Sequence, residues 1–169
     1  MDEVHFQQHG SRCRLWVAPE VADPVCRHAP TRKSISFFGA VRLKDGKLVM
    51  SRPEGRFNAI TCWDFLRQLE RISRKSGRKV VVIIDNARYH HAILHAAWRT
   101  EVSAHFQLHF LPPYSPELNP IERVWKLIRR CCLHNQYFPA LECVVAAIQP
   151  RLQAWSRPNV TLCRLCGIA

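Results

Sequence analysis

Acidic residues are scarce in this chain: 13 Asp and Glu stand against 25 Lys and Arg, giving a formal charge of +12. That balance favours polyanionic partners, nucleic acid foremost, with a solvated basic surface as the plain alternative. No run of about 18 apolar residues occurs, so a membrane-spanning helix is excluded. The N-terminal MDEVHFQQHG has no signal-peptide pattern. A cytoplasmic protein with no membrane partner is expected. Eight cysteines are present, but only Cys163-Arg164-Leu165-Cys166 has C-x-x-C spacing. With no second ligand pair, a structural zinc site is not expected, and without a secretory route neither are disulfides. Internal repeats and low-complexity segments are absent too.

A chain of 169 residues with 47% hydrophobic content is long enough for one domain with a proper core. We place that domain at residues 1–156 and a C-terminal tail at 157–169. The pattern predicts short strands at 4–9 and 14–18 around a turn at Gly10-Ser11, with Asp2 just ahead of the first. Strands at 34–43 and 47–51 follow, joined through Asp45-Gly46, a hairpin signal. Cys62, Phe65, Leu66, Leu69 and Ile72 recur at helical spacing within 59–76, where Gly77 is a natural C-terminal residue. The aliphatic run Val80–Ile84 reads as a strand buried on both faces. A helix at 91–99, a strand at 107–111, a helix at 120–133 and a helical pattern at 141–155, kinked or split at Pro150, complete the order. Strands first, then alternating helix and strand, imply an α/β domain with a mixed sheet and helices on both faces.

Three of the scarce carboxylates stand where a metal site could be built. Asp2 borders the first strand, Asp85 closes the aliphatic strand, and Glu122 lies in the first turn of a helix begun by Asn119-Pro120. Carboxylate oxygens suit Mg²⁺ or Mn²⁺, and two such ions roughly 3.5–4 Å apart clamp the attacking and leaving oxygens of a phosphodiester. Each residue also has a purely structural reading. Asn119-x-x-Glu122 fits a capping box, Glu122 with Lys126 is an ordinary i, i+4 pair, and Asp85-Asn86 fits a strand end entering a turn. Glu117 is the fallback third acid should Glu122 turn back into its own cap.

The text IIDNARYHHA (83–92) and FLPPYSPELNPIERVWKLIR (110–129), with DEVHFQQHGSRCRLWV (2–17), resembles the catalytic core of DDE transposases, in the bacterial insertion-sequence branch of the mariner-type superfamily. The resemblance implies a ribonuclease H-like fold, catalytic acids at Asp2, Asp85 and Glu122, and two Mg²⁺ or Mn²⁺ ions held by them. It implies cleavage at transposon ends and strand transfer into target DNA, in a homodimeric complex associated with the bacterial nucleoid. Asn86, Arg88 and His90 match the text after the second acid, and would touch phosphate or orient a carboxylate; capping or core hydrogen bonding is the alternative for His90. Trp125 is expected in the core with Ile121 and Ile128. Arg123, Lys126, Arg129 and Arg130 give the same helix a basic side that would meet DNA phosphates, or simply be solvated.

The chain also departs from that family. Only Met1 precedes Asp2, where the family has several apolar residues, so the first strand is expected to be truncated at its N-terminus. The helix-turn-helix modules that precede the family's catalytic domain are not in this sequence, which points to an upstream polypeptide as partner. A structure-selective nuclease of the same fold and an inactive DNA-binding remnant are the rival readings.

Overall fold

The computed structural model describes residues 1–14, 16–22, 24–25 and 27–167. Alternation builds the first sheet. In β1 (Asp2–Gln7), Val4 and Phe6 turn inward on one face while Glu3 and His5 lie on the other. This strand starts at Asp2 itself, two residues earlier than expected. It pairs antiparallel with β2 (Ser34–Val41) from Asp2 opposite Gly39 to Gln7 opposite Ser34. On its far side, β2 pairs antiparallel with β3 (Leu48–Ser51). No strand forms at 14–18 among the described residues; Leu15 lies outside them.

The aliphatic run becomes β4 (Val80–Ile84), parallel to β5 (Phe106–Phe110) in register Val80 to Phe106. The strands thus form two hydrogen-bonded sheets, one antiparallel and one parallel, rather than a single continuous ladder. They meet where the Met1 amino group donates to the Ile83 carbonyl at 2.7 Å.

Helices cover both faces. One face carries α1 (Ala59–Ser76), which starts in a capping box of Asn58 with Thr61 and ends at Gly77 in the left-handed conformation, φ 63°. Its Cys62, Phe65, Leu66 and Leu69 pack with Phe38, Val82 and Ile84. The other face carries α3 (Ile121–Ile128), which runs on as a wider π turn over Arg129–Leu133, and α4 (Leu141–Trp155). Ile121, Val124, Trp125, Ile128, Val144 and Ile148 pack there against Val4, Phe6, Ile35 and Phe37. Pro150 leaves α4 unbroken and is exposed.

The helix expected at 91–99 is instead two short 3₁₀ turns, Arg88–His91 and Ile93–His95, followed by α2 (Ala96–Glu101). The segment expected as a tail is also structured. There α5 (Val160–Cys166) is capped by the Asn159 side chain and places Leu162 and Cys166, both fully buried, in the core beside α3. The boundary at 156 therefore does not end the packed domain. The described cysteines are free thiols.

Candidate active site

Asp2, Asp85 and Glu122 come from three elements and line one cleft of about 460 Å³ with Asn86, Asn119 and the loop Leu111–Pro116. The folding reasons are local. Asp2 opens β1, Asp85 follows directly on β4, and Glu122 occupies the first turn of α3. The proline-rich loop between β5 and α3 forms one lip, with Tyr114 fully exposed in a left-handed conformation, φ 57°.

Asp2 is buried, and its Oδ2 accepts a hydrogen bond from Trp125 Nε1 at 3.0 Å. Burial, reinforced by the negative charges of Glu3 and Glu122, pushes its pKa up to about 7. The bonds from Trp125 and the Glu3 backbone pull the other way without cancelling this. Burial likewise lowers the Met1 amino group to about 6.

Asp85 behaves oppositely. Its hydrogen bond with His90 holds it below the usual carboxylate range, against a smaller effect of burial. The His90 Nδ1 lies 2.8 Å from Asp85 Oδ1, and the Ala87 N–H donates to the same oxygen at 3.2 Å, which leaves Oδ2 for the cleft. The His90 Nε2 meets Glu3 Oε1 at 2.9 Å. Burial alone would lower the His90 pKa, but its bonds to Asp85, Cys62 and Glu3 push it up to about 12. His90 is thus a buried imidazolium clamped between two carboxylates. It has no exposed surface, so it is not placed to be the phosphate contact considered from sequence, and its Nδ1 instead meets Asp85.

The capping reading of Glu122 does not materialise. The Asn119 side chain donates to the Met1 carbonyl at 3.1 Å instead of capping α3, and α3 begins after Pro120 without a side-chain cap. Glu122 is therefore free of the cap and borders the cleft. Glu117 is exposed in a 3₁₀ turn outside the residues lining it.

The remaining basic residues divide. Arg88, Lys126 and Arg130 are exposed. Arg123 is exposed too, but its guanidinium donates to the Leu165 carbonyl at 3.0 Å and so braces α5. The Arg129 guanidinium sits 5.8 Å from the centre of the Phe6 ring.

Three participants escaped sequence reading. Glu3 is the second carboxylate on His90, and its only sequence signal is an acid inside an alternating strand. Trp125 is buried as expected, but its N–H is also Asp2's donor. Gly39 lies directly beneath that indole, where a Cβ would come within 2.3 Å of the ring.

Asp2, Asp85 and Glu122 line one cleft, and carboxylates are the ligand type that suits a hard divalent cation. Among the described residues, the group whose ligand atoms lie within 4.8 Å of one another is Glu3, Asp85 and His90 rather than this trio. Residues 1–144 match the family described as DDE superfamily endonuclease. The chain belongs to that family.

Among known relatives, a Sinorhizobium fredii protein, y4pE/y4sA, is 38% identical over 69 residues, which cover 41% of this chain and 47% of the relative. The Mos1 transposase paired-end complex with left transposon end contains a chain of similar structure, with TM-score 0.70 and 20% identity over 98% of this chain and 49% of that one. The Mos1 mariner paired-end complex with Mn gives TM-score 0.70 and 19% identity, covering 98% of this chain and 50% of its counterpart. These likenesses establish the ribonuclease H-like fold. The chain spans about half the length of the proteins it matches. Among the described residues, no helix is long and apolar enough to cross a membrane.

Proposed function

We propose that this chain is the catalytic domain of a DNA transposase that cleaves transposon ends and joins the freed 3′-hydroxyl to target DNA. One observation carries the reading: Asp2, Asp85 and Glu122, remote in sequence, line a single cleft in a chain of the DDE endonuclease family. Asp2, Asp85 and Glu122 would hold two Mg²⁺ or Mn²⁺ ions. Such ions, when bound, supply Lewis-acid activation of a water or hydroxyl nucleophile and offset charge on the phosphate.

The chain's own residues prepare the site. Charged His90 fixes one oxygen of Asp85 and holds its pKa below the usual carboxylate range. Trp125 fixes one oxygen of Asp2. The rigid first turn of α3 carries Glu122. Arg88, Lys126 and Arg130 offer exposed positive charge for the DNA backbone, giving salt-dependent, sequence-independent affinity.

The whole enzyme would act as a homodimer, with the terminal repeats recognised by an upstream polypeptide carrying helix-turn-helix modules. The decisive experiment is cleavage of transposon-end DNA by the reconstituted enzyme with Asp85→Asn or Glu122→Gln. Each substitution should abolish cutting and strand transfer while leaving DNA binding intact. Wild-type cutting by either variant would overturn the assignment.

A further inference from the structure

The three acids of the cleft are not held alike. Asp2 has one carboxylate oxygen tied to the Trp125 indole, and Asp85 has one tied to His90 and to the Ala87 N–H. Among the described residues no group donates to the Glu122 carboxylate, so its place in the cleft is set by the backbone turn that carries it. That turn is the first of α3, which starts without a side-chain cap. Helix ends left in this state fray.

What stands in for the cap is α5. The Cys166 thiol donates to the Pro120 carbonyl at 3.5 Å in a buried contact. The Arg123 guanidinium donates to the carbonyls of Leu165 at 3.0 Å and Gly167 at 3.5 Å. These carbonyls stand at the C-terminal end of α5, where a helix has orphan acceptors and favours a cation. Glu122 thus lies between two residues, Pro120 and Arg123, that are both fastened to the same short helix.

The start of α5 is seated on the turn between β2 and β3. The Asn159 N–H donates to the Asp45 carbonyl at 2.7 Å, and the Cys163 thiol to the Leu43 and Lys44 carbonyls at 3.6 Å. Gly46, with φ +70°, permits this approach, since a Cβ there would run into the Asn159 carbonyl and the Cys163 N–H. Leu162 and Cys166 are fully buried between these two attachments. The helix is therefore a strut fixed at both ends. It lies beyond residues 1–144, which match the endonuclease family.

We propose that α5 positions Glu122, and that Arg123 is a positioning residue for the acid beside it rather than a DNA contact. This rests on the reading of Asp2, Asp85 and Glu122 as the metal-holding acids. A carboxylate on a fraying turn occupies the ligating position less often, and groups that support metal ligands typically change affinity about 10–100-fold when removed. The sign of the effect separates support from charge. Arg123 is a cation beside a cation site, so by charge alone its removal would tighten metal binding. Loss of the strut weakens it.

The test measures Mn²⁺ binding to the full 169-residue chain from the electron paramagnetic resonance signal of the free ion, with no DNA present. Amide exchange is followed in parallel without metal. Arg123→Ala should weaken Mn²⁺ binding about tenfold or more. It should also speed exchange of the Glu122 N–H, which bonds to the Asn119 carbonyl at 3.1 Å. Arg123→Lys, which keeps a donor, should recover part of both. Unchanged exchange at Glu122, Mn²⁺ bound as tightly or more tightly by Arg123→Ala, or equal losses from both substitutions would overturn the proposal alone. A wild-type chain that binds no Mn²⁺, or an Asp85→Asn chain that binds it equally well, would overturn the reading of the acids and the proposal with it.

Discussion

The indole N–H of Trp125 donates to Asp2 Oδ2 at 3.0 Å across a fully buried contact, joining the first turns of α3 to the first residue of β1. One residue thus serves both the core and the acid cleft. Phenylalanine at 125 would keep most of the packing and lose the donor, stranding a buried acceptor. We expect Trp125→Phe to lower stability by about 1–3 kcal/mol in urea unfolding. It should also reduce cleavage, since Asp2 loses its anchor.

Gly39 tests the same junction from below. A methyl group there meets the Trp125 ring at 2.3 Å, and the ring has no room to retreat in a close-packed core. Gly39→Ala should therefore destabilise the fold by about 1–3 kcal/mol, the usual range for overpacking. Loss of the Asp2–Trp125 hydrogen bond should be visible as a shifted indole N–H resonance. An unchanged resonance would mean the strand moves instead.

His90 makes a different prediction. Removing an imidazolium held between Asp85 and Glu3 leaves two carboxylates facing each other without their cation. Breaking a buried ion pair from one side commonly costs about 3–5 kcal/mol. His90→Gln should fall near that range and, in a carboxyl NMR titration, raise the Asp85 pKa toward the ordinary value.

Divalent cations should relieve the crowding of acids at the cleft. Binding to the folded state alone stabilises by about 2.7 kcal/mol at a hundredfold excess over Kd. Addition of Mn²⁺ or Mg²⁺ should raise the melting temperature of the wild type, and chelation should reverse the rise. The double variant Asp85→Asn with Glu122→Gln should show no such response.

A pH-dependent contribution comes from Glu70, far from the cleft. Its Oε1 accepts from His105 Nε2 at 2.6 Å and from Arg74 at 2.9 and 3.0 Å, in a nearly buried position. The bond to His105, then that to Arg74, hold its pKa below the ordinary 4.5 despite the opposing effect of burial. A depressed folded pKa gives stability that is present above the unfolded value and lost as pH falls through the folded one. Glu70→Gln should thus be less stable than wild type at pH 7, by roughly 1.5–3 kcal/mol for charge-assisted bonds. The difference should shrink as pH falls below the ordinary value. An equal gap in urea midpoints at both ends of that range would refute the assignment.

Much of the architecture could be read from local pattern. The apolar spacing in 59–76 and the left-handed Gly77 marked α1, and the unbroken aliphatic run at 80–84 marked β4, because helical and strand periods are short-range properties. The failures were equally local in origin. Residues 14–18 looked like a strand, but none of the described residues among them forms one, and 157–169 looked like a tail because α5 is short and gains its stability by packing against α3.

Amino-acid order alone determined where each carboxylate sits on its own element: Asp85 at a strand end and Glu122 in a first helical turn. Tertiary structure alone decided which groups meet, since alternation and helical period say which face a side chain occupies but not what lies opposite. Trp125 reaches Asp2 across 123 positions and His90 reaches Glu3 across 87. Those contacts arise from the packing of α3 and the Arg88–His91 turn on opposite faces of β1, and this packing turned a capping asparagine and a core tryptophan into parts of the site.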